Sequence, residues 1–155
     1  MNLGVHLPRQ LLSVPVLRHL SRRSMEELGV VAEDAADVEL ALAEACANVI
    51  KHSGPGDAYD VELDFGLVER VDGAAPAILC SIRVTDVGHG FDFASLDALH
   101  AGADAENGRG VALMRALMDH IRFDSEPETG TVVHLTKTLR CVDTAPTRTL
   151  THLPP

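Results

Sequence analysis

The chain has 155 residues, of which 46% are apolar, and a formal net charge of −10 from 13 basic and 23 acidic residues. This length and composition indicate one compact domain with one core. The acidic surface argues against direct binding of nucleic acid or of an anionic membrane, because both are bound by basic surfaces.

The cysteines and the hydropathy pattern narrow the cellular setting. Cys46, Cys80 and Cys141 are far apart and form no CxxC pair, so the sequence predicts reduced thiols rather than a disulfide framework or a zinc site. No apolar segment reaches the ~18 residues of a membrane span, and no signal-peptide pattern is present. We expect a cytoplasmic protein with no membrane contact.

The predicted elements follow one another as strand, helix, helix, two strands, loop, helix and two strands. The predicted ranges are a strand at 3–7, a helix at 14–28 stopped by Gly29, a helix from Asp34 or Asp37 to 52, strands at 59–68 and 77–85, a helical turn at 93–100, a helix at 110–120, and a hairpin of strands at 121–125 and 131–139. This order predicts an α/β (α+β) two-layer sandwich, with helices on one face of a mixed, mostly antiparallel sheet. We expect a domain at 1–140 and a flexible tail at 141–155.

The second helix carries a polar ridge beside its apolar stripe. Glu44, Asn48 and His52 are four residues apart, so they lie on one side of the helix, and Lys51 joins them. Such a ridge either borders a cleft or is an ordinary solvated face, and this motif alone does not decide between the two.

Two glycine-containing motifs follow in the second half of the chain. Asp86-Val-Gly88-His-Gly90 comes directly after a strand, where its carboxylate can accept a hydrogen bond from an exocyclic amine such as that of adenine. A plain Asp-x-Gly turn is the alternative. Gly108-Arg109-Gly110 opens a helix whose unpaired N–H groups suit an anion, although a linker before an ordinary helix has the same composition. Neither motif is a P-loop or a dinucleotide fingerprint.

In their order and spacing these motifs resemble those of the GHKL superfamily of histidine-kinase-like ATPases, and most closely the bacterial anti-sigma-factor serine/threonine-protein kinases. The segment 44–52 resembles the N box, 86–91 the G1 box, 108–114 the G2 box and 130–137 the closing strand. The resemblance covers about residues 1–140. It implies a Bergerat-type ATP-binding fold that uses ATP or ADP and Mg²⁺.

The resemblance also implies a role for each motif residue. Glu44 would be the general base, Asn48 a ligand of Mg²⁺, and Lys51 a partner of a phosphate. Asp86 would accept the adenine amine. The other residues expected to contact the nucleotide are Gly88, Gly90, Gly108, Arg109, Gly110, Val111 and Thr131.

By the same resemblance, the protein would be an ATP-binding anti-sigma factor that phosphorylates an anti-anti-sigma (antagonist) protein and regulates transcription by partner switching. Its partners would be a sigma factor and the antagonist, and a homodimer is expected. Arg18 falls where the family tends to use an arginine for partners, and Arg22 and Arg23 lie close by. A solvated helix face explains these arginines equally well.

The segment between Phe91 and Asn107, where the family has its lid, departs from the pattern because it contains no Lys or Arg. Its charged residues are all acidic: Asp92, Asp97, Asp104 and Glu106. Since phosphoryl transfer needs positive charge, Mg²⁺, Lys51 and Arg109 would have to supply it. A second hypothesis for the function is therefore a nucleotide-dependent regulator with weak or no phosphoryl transfer. A third hypothesis is a domain without a nucleotide site.

Overall fold

The computed structural model describes residues 1–52, 57–68, 77–86, 105–126 and 130–142. The strands in these ranges are β1 (Asn2–Pro8), β2 (Ala58–Val68), β3 (Ala77–Asp86), β4 (His120–Glu126) and β5 (Gly130–Leu139). The helices are α1 (Ser13–Glu27), α2 (Ala32–His52) and α3 (Ala105–Leu117). The predicted helical turn at 93–100 lies outside the described residues.

The strands form one sheet in the order β1-β2-β3-β5-β4. Every neighbouring pair is antiparallel, and β5 lies between β3 and β4. The predicted two-layer architecture is confirmed, and the described sheet is wholly antiparallel rather than mixed.

The sheet buries one face because its side chains alternate along each strand. On β2, Tyr59, Val61, Leu63 and Phe65 are buried, while the acidic residues between them point to the opposite, open face. The buried face meets the apolar stripe of α2, which includes the fully buried Val38, Leu42 and Cys46. Helix α2 also contacts α1 and α3, so it packs against the sheet and against both of the other helices.

Helix α1 is shifted by one residue from its predicted range, and the starts of α2 and α3 differ more from the prediction. Helix α2 begins at Ala32 rather than at Asp34 or Asp37, because Val31 O accepts the Ala35 N–H at 3.1 Å and the Asp34 carboxylate is already held by Arg140. Helix α3 spans Ala105–Leu117 rather than 110–120.

The segment that follows β5, at residues 140–142, is attached to the turn between α1 and α2. Gly29 has a φ of 73°, so it takes the left-handed conformation expected of the residue that stops a helix. Val30 forms a β-bridge with Cys141, and the Val142 N–H donates to Gly29 O at 2.8 Å. The boundary at residue 140 and the tail stay predictions, since residues beyond 142 are not described.

In the part of the chain that the structure describes, no helix combines the length and the apolarity needed to cross a membrane.

Candidate functional site

The polar ridge of α2 lies at a helix–helix boundary and not in open water. Glu44 and Asn48 are half-buried, and the residues between and beside them, Ala45 and Val49, are buried in the core. Lys51, one turn further along, is exposed. The ridge therefore has a protected end at Glu44 and an open end at Lys51.

Gly110 of α3 is the residue that meets this ridge. A Cβ atom at position 110 would lie 2.8 Å from Glu44 Oε2 and 3.7 Å from Asn48 Oδ1. Gly110 is itself buried, as is Val111 beside it. The absence of a side chain thus lets α3 approach the carboxylate and the amide of α2 together, which brings two of the sequence motifs into contact.

The start of α3 corrects one detail of the prediction. The helix begins at Ala105, so Gly108, Arg109 and Gly110 lie within its first two turns instead of opening it. The backbone N–H groups without an intrahelical acceptor therefore belong to the first turn, which starts at Ala105. The small size of Gly110 allows the close contact with α2, while the positive end of the helix dipole lies one turn earlier. The Arg109 side chain is exposed.

Asp86 is the last residue of β3 and is only 1% exposed. It forms an ion pair with Arg9, which follows β1 and whose side chain is 9% exposed. In the sheet, Asp86 lies opposite Tyr59 of β2 and Thr131 of β5, both of them buried. The sequence prediction missed Arg9, which is 77 residues from Asp86 and belongs to no motif.

Tyr59 and Cys46 bring no charge to this region. Burial raises the pKa of the Cys46 thiol to about 12. Burial also raises the pKa of the Tyr59 hydroxyl, and the neighbouring Cys46 adds to this rise. Both groups are therefore neutral at physiological pH, and within the described ranges the charge beside Asp86 is that of Arg9.

The oxygen atoms at the α2–α3 boundary fit a magnesium–phosphate group. No cluster of three or more His, Cys, Asp or Glu side chains suited to a metal occurs among the described residues. Mg²⁺ in nucleotide sites needs no such cluster, because phosphates and water supply most of its ligands. One amide oxygen, Asn48 Oδ1, near a helix start is a suitable protein ligand.

Gly88 and Gly90, which were predicted to contact the nucleotide, lie outside the described residues.

The arginines of α1 do not form a single free surface. Arg22 pairs with Glu39, which is 3% exposed, with Nε 2.7 Å from Oε1 and Nη2 3.1 Å from Oε2. Arg23 pairs with Glu26 at 3.1 Å within the same helix. Arg18 lies further from Glu39, at 3.6 Å, and its side chain is half-exposed. Arg18 is thus the member of the three with the loosest described ion pair.

The sequence of this chain is similar to a known domain family and to named bacterial proteins. The family model of the histidine kinase-like ATPase domain matches residues 7–137. The serine-protein kinase RsbW of Bacillus cereus (strain G9842) is 29% identical over 126 residues, which cover 76% of this chain and 73% of that protein. RsbW of Bacillus anthracis (strain CDC 684) is 28% identical over 125 residues, with the same coverage.

A solved structure has the same fold. The structure of the RsbU and RsbW domains of Rv1364c from Mycobacterium tuberculosis superposes with a TM-score of 0.61 at 20% sequence identity. The match covers 90% of this chain and 33% of the solved chain, so this chain corresponds to about a third of the length of the solved one. The likeness supports the fold of a five-stranded antiparallel sheet covered by helices.

Proposed function

Because the chain belongs to the histidine kinase-like ATPase domain family, we propose that it binds ATP and ADP with Mg²⁺ between α2, α3 and the ends of β3 and β5. The family match over residues 7–137 confirms the resemblance on which the sequence motifs were interpreted. The residues that would contact the nucleotide are those predicted from the motifs: Asn48, Lys51, Asp86, Gly88, Gly90, Gly108, Arg109, Gly110, Val111 and Thr131.

One observation carries this proposal. Glu44 Oε2 and Asn48 Oδ1 lie within 4 Å of the same point, the position that a Cβ of residue 110 would occupy. A carboxylate and an amide oxygen that meet the same point of α3 bring together a proton acceptor and a suitable metal ligand, and the positive end of the helix dipole lies one turn away. A solvated helix face does not require this approach, so the geometry favours the cleft alternative of the sequence analysis.

The reaction that we propose is transfer of the γ-phosphoryl group to a serine or threonine hydroxyl of a protein. The similar RsbW proteins are named serine-protein kinases, which supports this acceptor. The hydroxyl oxygen forms a bond to the γ-phosphorus, the bond from phosphorus to the ADP oxygen breaks, and Glu44 accepts the hydroxyl proton. Asn48 would hold Mg²⁺, which neutralises charge on the phosphates when bound. Lys51 and Arg109 would pair with the phosphates.

The partners that we propose follow from the same family resemblance. The protein would bind a sigma factor, phosphorylate an anti-anti-sigma antagonist and form a homodimer, so that nucleotide state decides which partner it holds. Arg18 supports a contact with an acidic partner, because it is half-exposed and only loosely paired. Arg22 and Arg23 have closer carboxylate partners within the chain.

A second candidate function is nucleotide-dependent binding with weak or no phosphoryl transfer. It is favoured by the segment between Phe91 and Asn107, which contains four acidic residues and no Lys or Arg. A lid without cations adds nothing to the stabilisation of a transferring phosphoryl group. This function uses the same site for binding and differs only in turnover.

Phosphorylation of candidate antagonist proteins by the purified protein with Mg-ATP tests the first function. We expect phosphoserine or phosphothreonine, detected by mass spectrometry, with the native protein and not with Glu44→Gln. Glu62→Gln is the matched control, since Glu62 lies on the open face of the sheet, where its exposed pair with Arg83 contributes little to stability. Labelling that is equal in the native protein and in Glu44→Gln would contradict the role of Glu44.

Calorimetry separates the two functions. Binding of ADP with Mg²⁺ that is weakened by Asn48→Ala, without any phosphorylated product, would support the second function. No binding of ATP or ADP to the folded native protein would contradict both.

A further inference from the structure

The pair formed by Arg9 and Asp86 is unusual in its depth. Asp86 is 1% exposed and the Arg9 side chain 9%, so this ion pair is removed from water. The backbone of Arg9 is fixed as well, because its N–H donates to Asp57 O at 2.8 Å. A carboxyl this deeply buried keeps its charge only when a positive partner or several donors compensate for the loss of water.

Among the described residues that lie beside Asp86, the charged one is Arg9. On β2 the neighbour of Asp86 is Tyr59, on β5 it is Thr131, and α2 brings Cys46 beside Tyr59. None of these three carries a charge at neutral pH, since burial raises the pKa of both Tyr59 and Cys46. Asp57 presents its backbone carbonyl to Arg9, and its side chain is exposed.

The protonation state of Asp86 decides what kind of base it can recognise. A carboxylate only accepts hydrogen bonds, whereas a protonated carboxyl also donates one. Adenine presents an amine at its 6-position, which donates, while hypoxanthine and guanine present a carbonyl oxygen there, which accepts. An ionised Asp86 therefore suits a 6-amino purine, and a protonated Asp86 suits a 6-oxo purine as well.

We propose that Arg9 is a specificity-determining positioning residue of the base pocket: its guanidinium keeps Asp86 ionised, so that the pocket selects 6-amino over 6-oxo purine nucleotides. The inference rests on the proposed nucleotide site, and it assigns a role to a residue that lies outside all four sequence motifs. Arg9 acts through Asp86 and need not touch the base.

Calorimetric binding of ADP and of inosine diphosphate, with Mg²⁺ and between pH 6 and 9, tests the proposal. The native protein should prefer ADP roughly tenfold to a hundredfold, because an unsatisfied buried acceptor facing the 6-oxo group weakens binding by about that factor, and this preference should not change with pH. Arg9→Met should lose most of the preference at pH 6 and regain part of it towards pH 9, as Asp86 ionises.

Three further variants distinguish this role from a structural one. Arg9→Lys keeps the positive charge and should retain the native preference. Asp86→Asn can donate as well as accept, and it should lose the preference at every pH. Arg83→Met, which removes an exposed arginine from the open face of the same sheet, should behave as the native protein does.

The results that would overturn the proposed role of Arg9 are as follows. A pH-independent, native-like preference in Arg9→Met, or equal weakening of both nucleotides, would overturn the proposal and leave the nucleotide site intact. A native protein that binds neither nucleotide would overturn both. If Arg9→Met does not fold, the double variant Arg9→Met/Asp86→Asn removes both charges together. It should fold and bind both nucleotides alike at all pH values, and a retained preference for ADP would contradict the proposal.

Discussion

Gly110 of α3 lies against the end of the Glu44 side chain of α2, so closely that a Cβ at position 110 would be 2.8 Å from Glu44 Oε2. The atom that limits the approach is therefore the tip of a flexible side chain and not the backbone of α2. A larger residue at position 110 would move the Glu44 carboxylate rather than separate the two helices.

Gly110→Ala should separate activity from stability. Alanine favours a helix over glycine by about 0.5–1 kcal/mol, so the free energy of unfolding should stay near the native value or rise slightly. Displacement of the Glu44 carboxylate should lower the rate of phosphoryl transfer about a hundredfold, while the affinity for ADP changes little. Urea unfolding, single-turnover phosphorylation and calorimetry measure the three quantities.

Gly66→Ala is the control for this substitution, because a Cβ at position 66 meets nothing within 4 Å. It should leave the phosphorylation rate unchanged. A Gly110→Ala variant with the native rate of transfer would show that Glu44 does not need its present position.

Lys137 of β5 fixes the far end of α3. Its Nζ donates to Leu117 O at 2.7 Å, at the last residue of the helix, and lies 3.2 Å from Asp37 Oδ2 on α2. Lys137→Met should lower the free energy of unfolding by about 1–2 kcal/mol, since the carbonyl loses a charged donor at the negative end of the helix dipole. Asp37→Asn removes the ion pair and keeps the cap, so it should cost less. A larger loss in Asp37→Asn than in Lys137→Met would contradict the capping role.

Asp34 should make stability depend on acid pH. Burial favours the neutral form of this carboxyl, but the hydrogen bonds from Arg140 outweigh burial and lower its pKa. The folded state therefore binds the proton more weakly than the unfolded state does. The stabilisation is present above the ordinary Asp pKa of about 4 and is lost as the pH falls through the lower folded-state value.

Asp34→Asn tests this dependence by urea unfolding at pH values from 3 to 7. We expect a loss of about 1–3 kcal/mol at pH 7 that shrinks towards pH 3, because the native protein loses the same interaction there. Glu33→Gln removes an exposed partner of the same Arg140 and should have a small effect at every pH. A loss in Asp34→Asn that is constant over the whole pH range would contradict the assignment.

Arg22 and Arg18 should respond differently to substitution, although both face Glu39. Arg22→Ala leaves the buried Glu39 carboxylate without its closest cation, so the melting temperature should fall by several degrees. Arg18→Ala removes a half-exposed side chain at 3.6 Å and should leave the melting temperature nearly unchanged, while it weakens binding of the proposed acidic partner. The reverse order of melting temperatures would show that Arg18 is the structural member.

The regular elements could be predicted because each has a strong periodic pattern. The alternation from Tyr59 to Phe65 could only belong to a half-buried strand, and β2 spans Ala58–Val68. The start of α3 could not be predicted, because Gly108 and Gly110 favour a helix boundary in the sequence. Inside the fold, the present position of the Glu44 carboxylate leaves no room for a side chain at position 110, which accounts for a glycine within the helix.

The candidate site could be proposed from the sequence where its residues belong to motifs, and not where they are brought together only by the fold. The spacing of Glu44 and Asn48 along one helix placed both on the same ridge, and their shared contact with Gly110 agrees with this. Arg9 could not be found, because only the antiparallel pairing of β1 with β2 and of β2 with β3 carries its side chain to Asp86. Local sequence contains no signal for a pair 77 residues apart.

The place of β5 in the sheet has a consequence for synthesis on the ribosome. Because β5 lies between β3 and β4, the edge strand β4 has no neighbour in the sheet until residues 130–139 have emerged. The nascent chain must therefore hold β1, β2 and β3 with the edge of β3 still unpaired until β5 emerges. Since Thr131 of β5 lies opposite Asp86, the proposed base pocket at the end of β3 is complete only when almost all of the described chain has been translated.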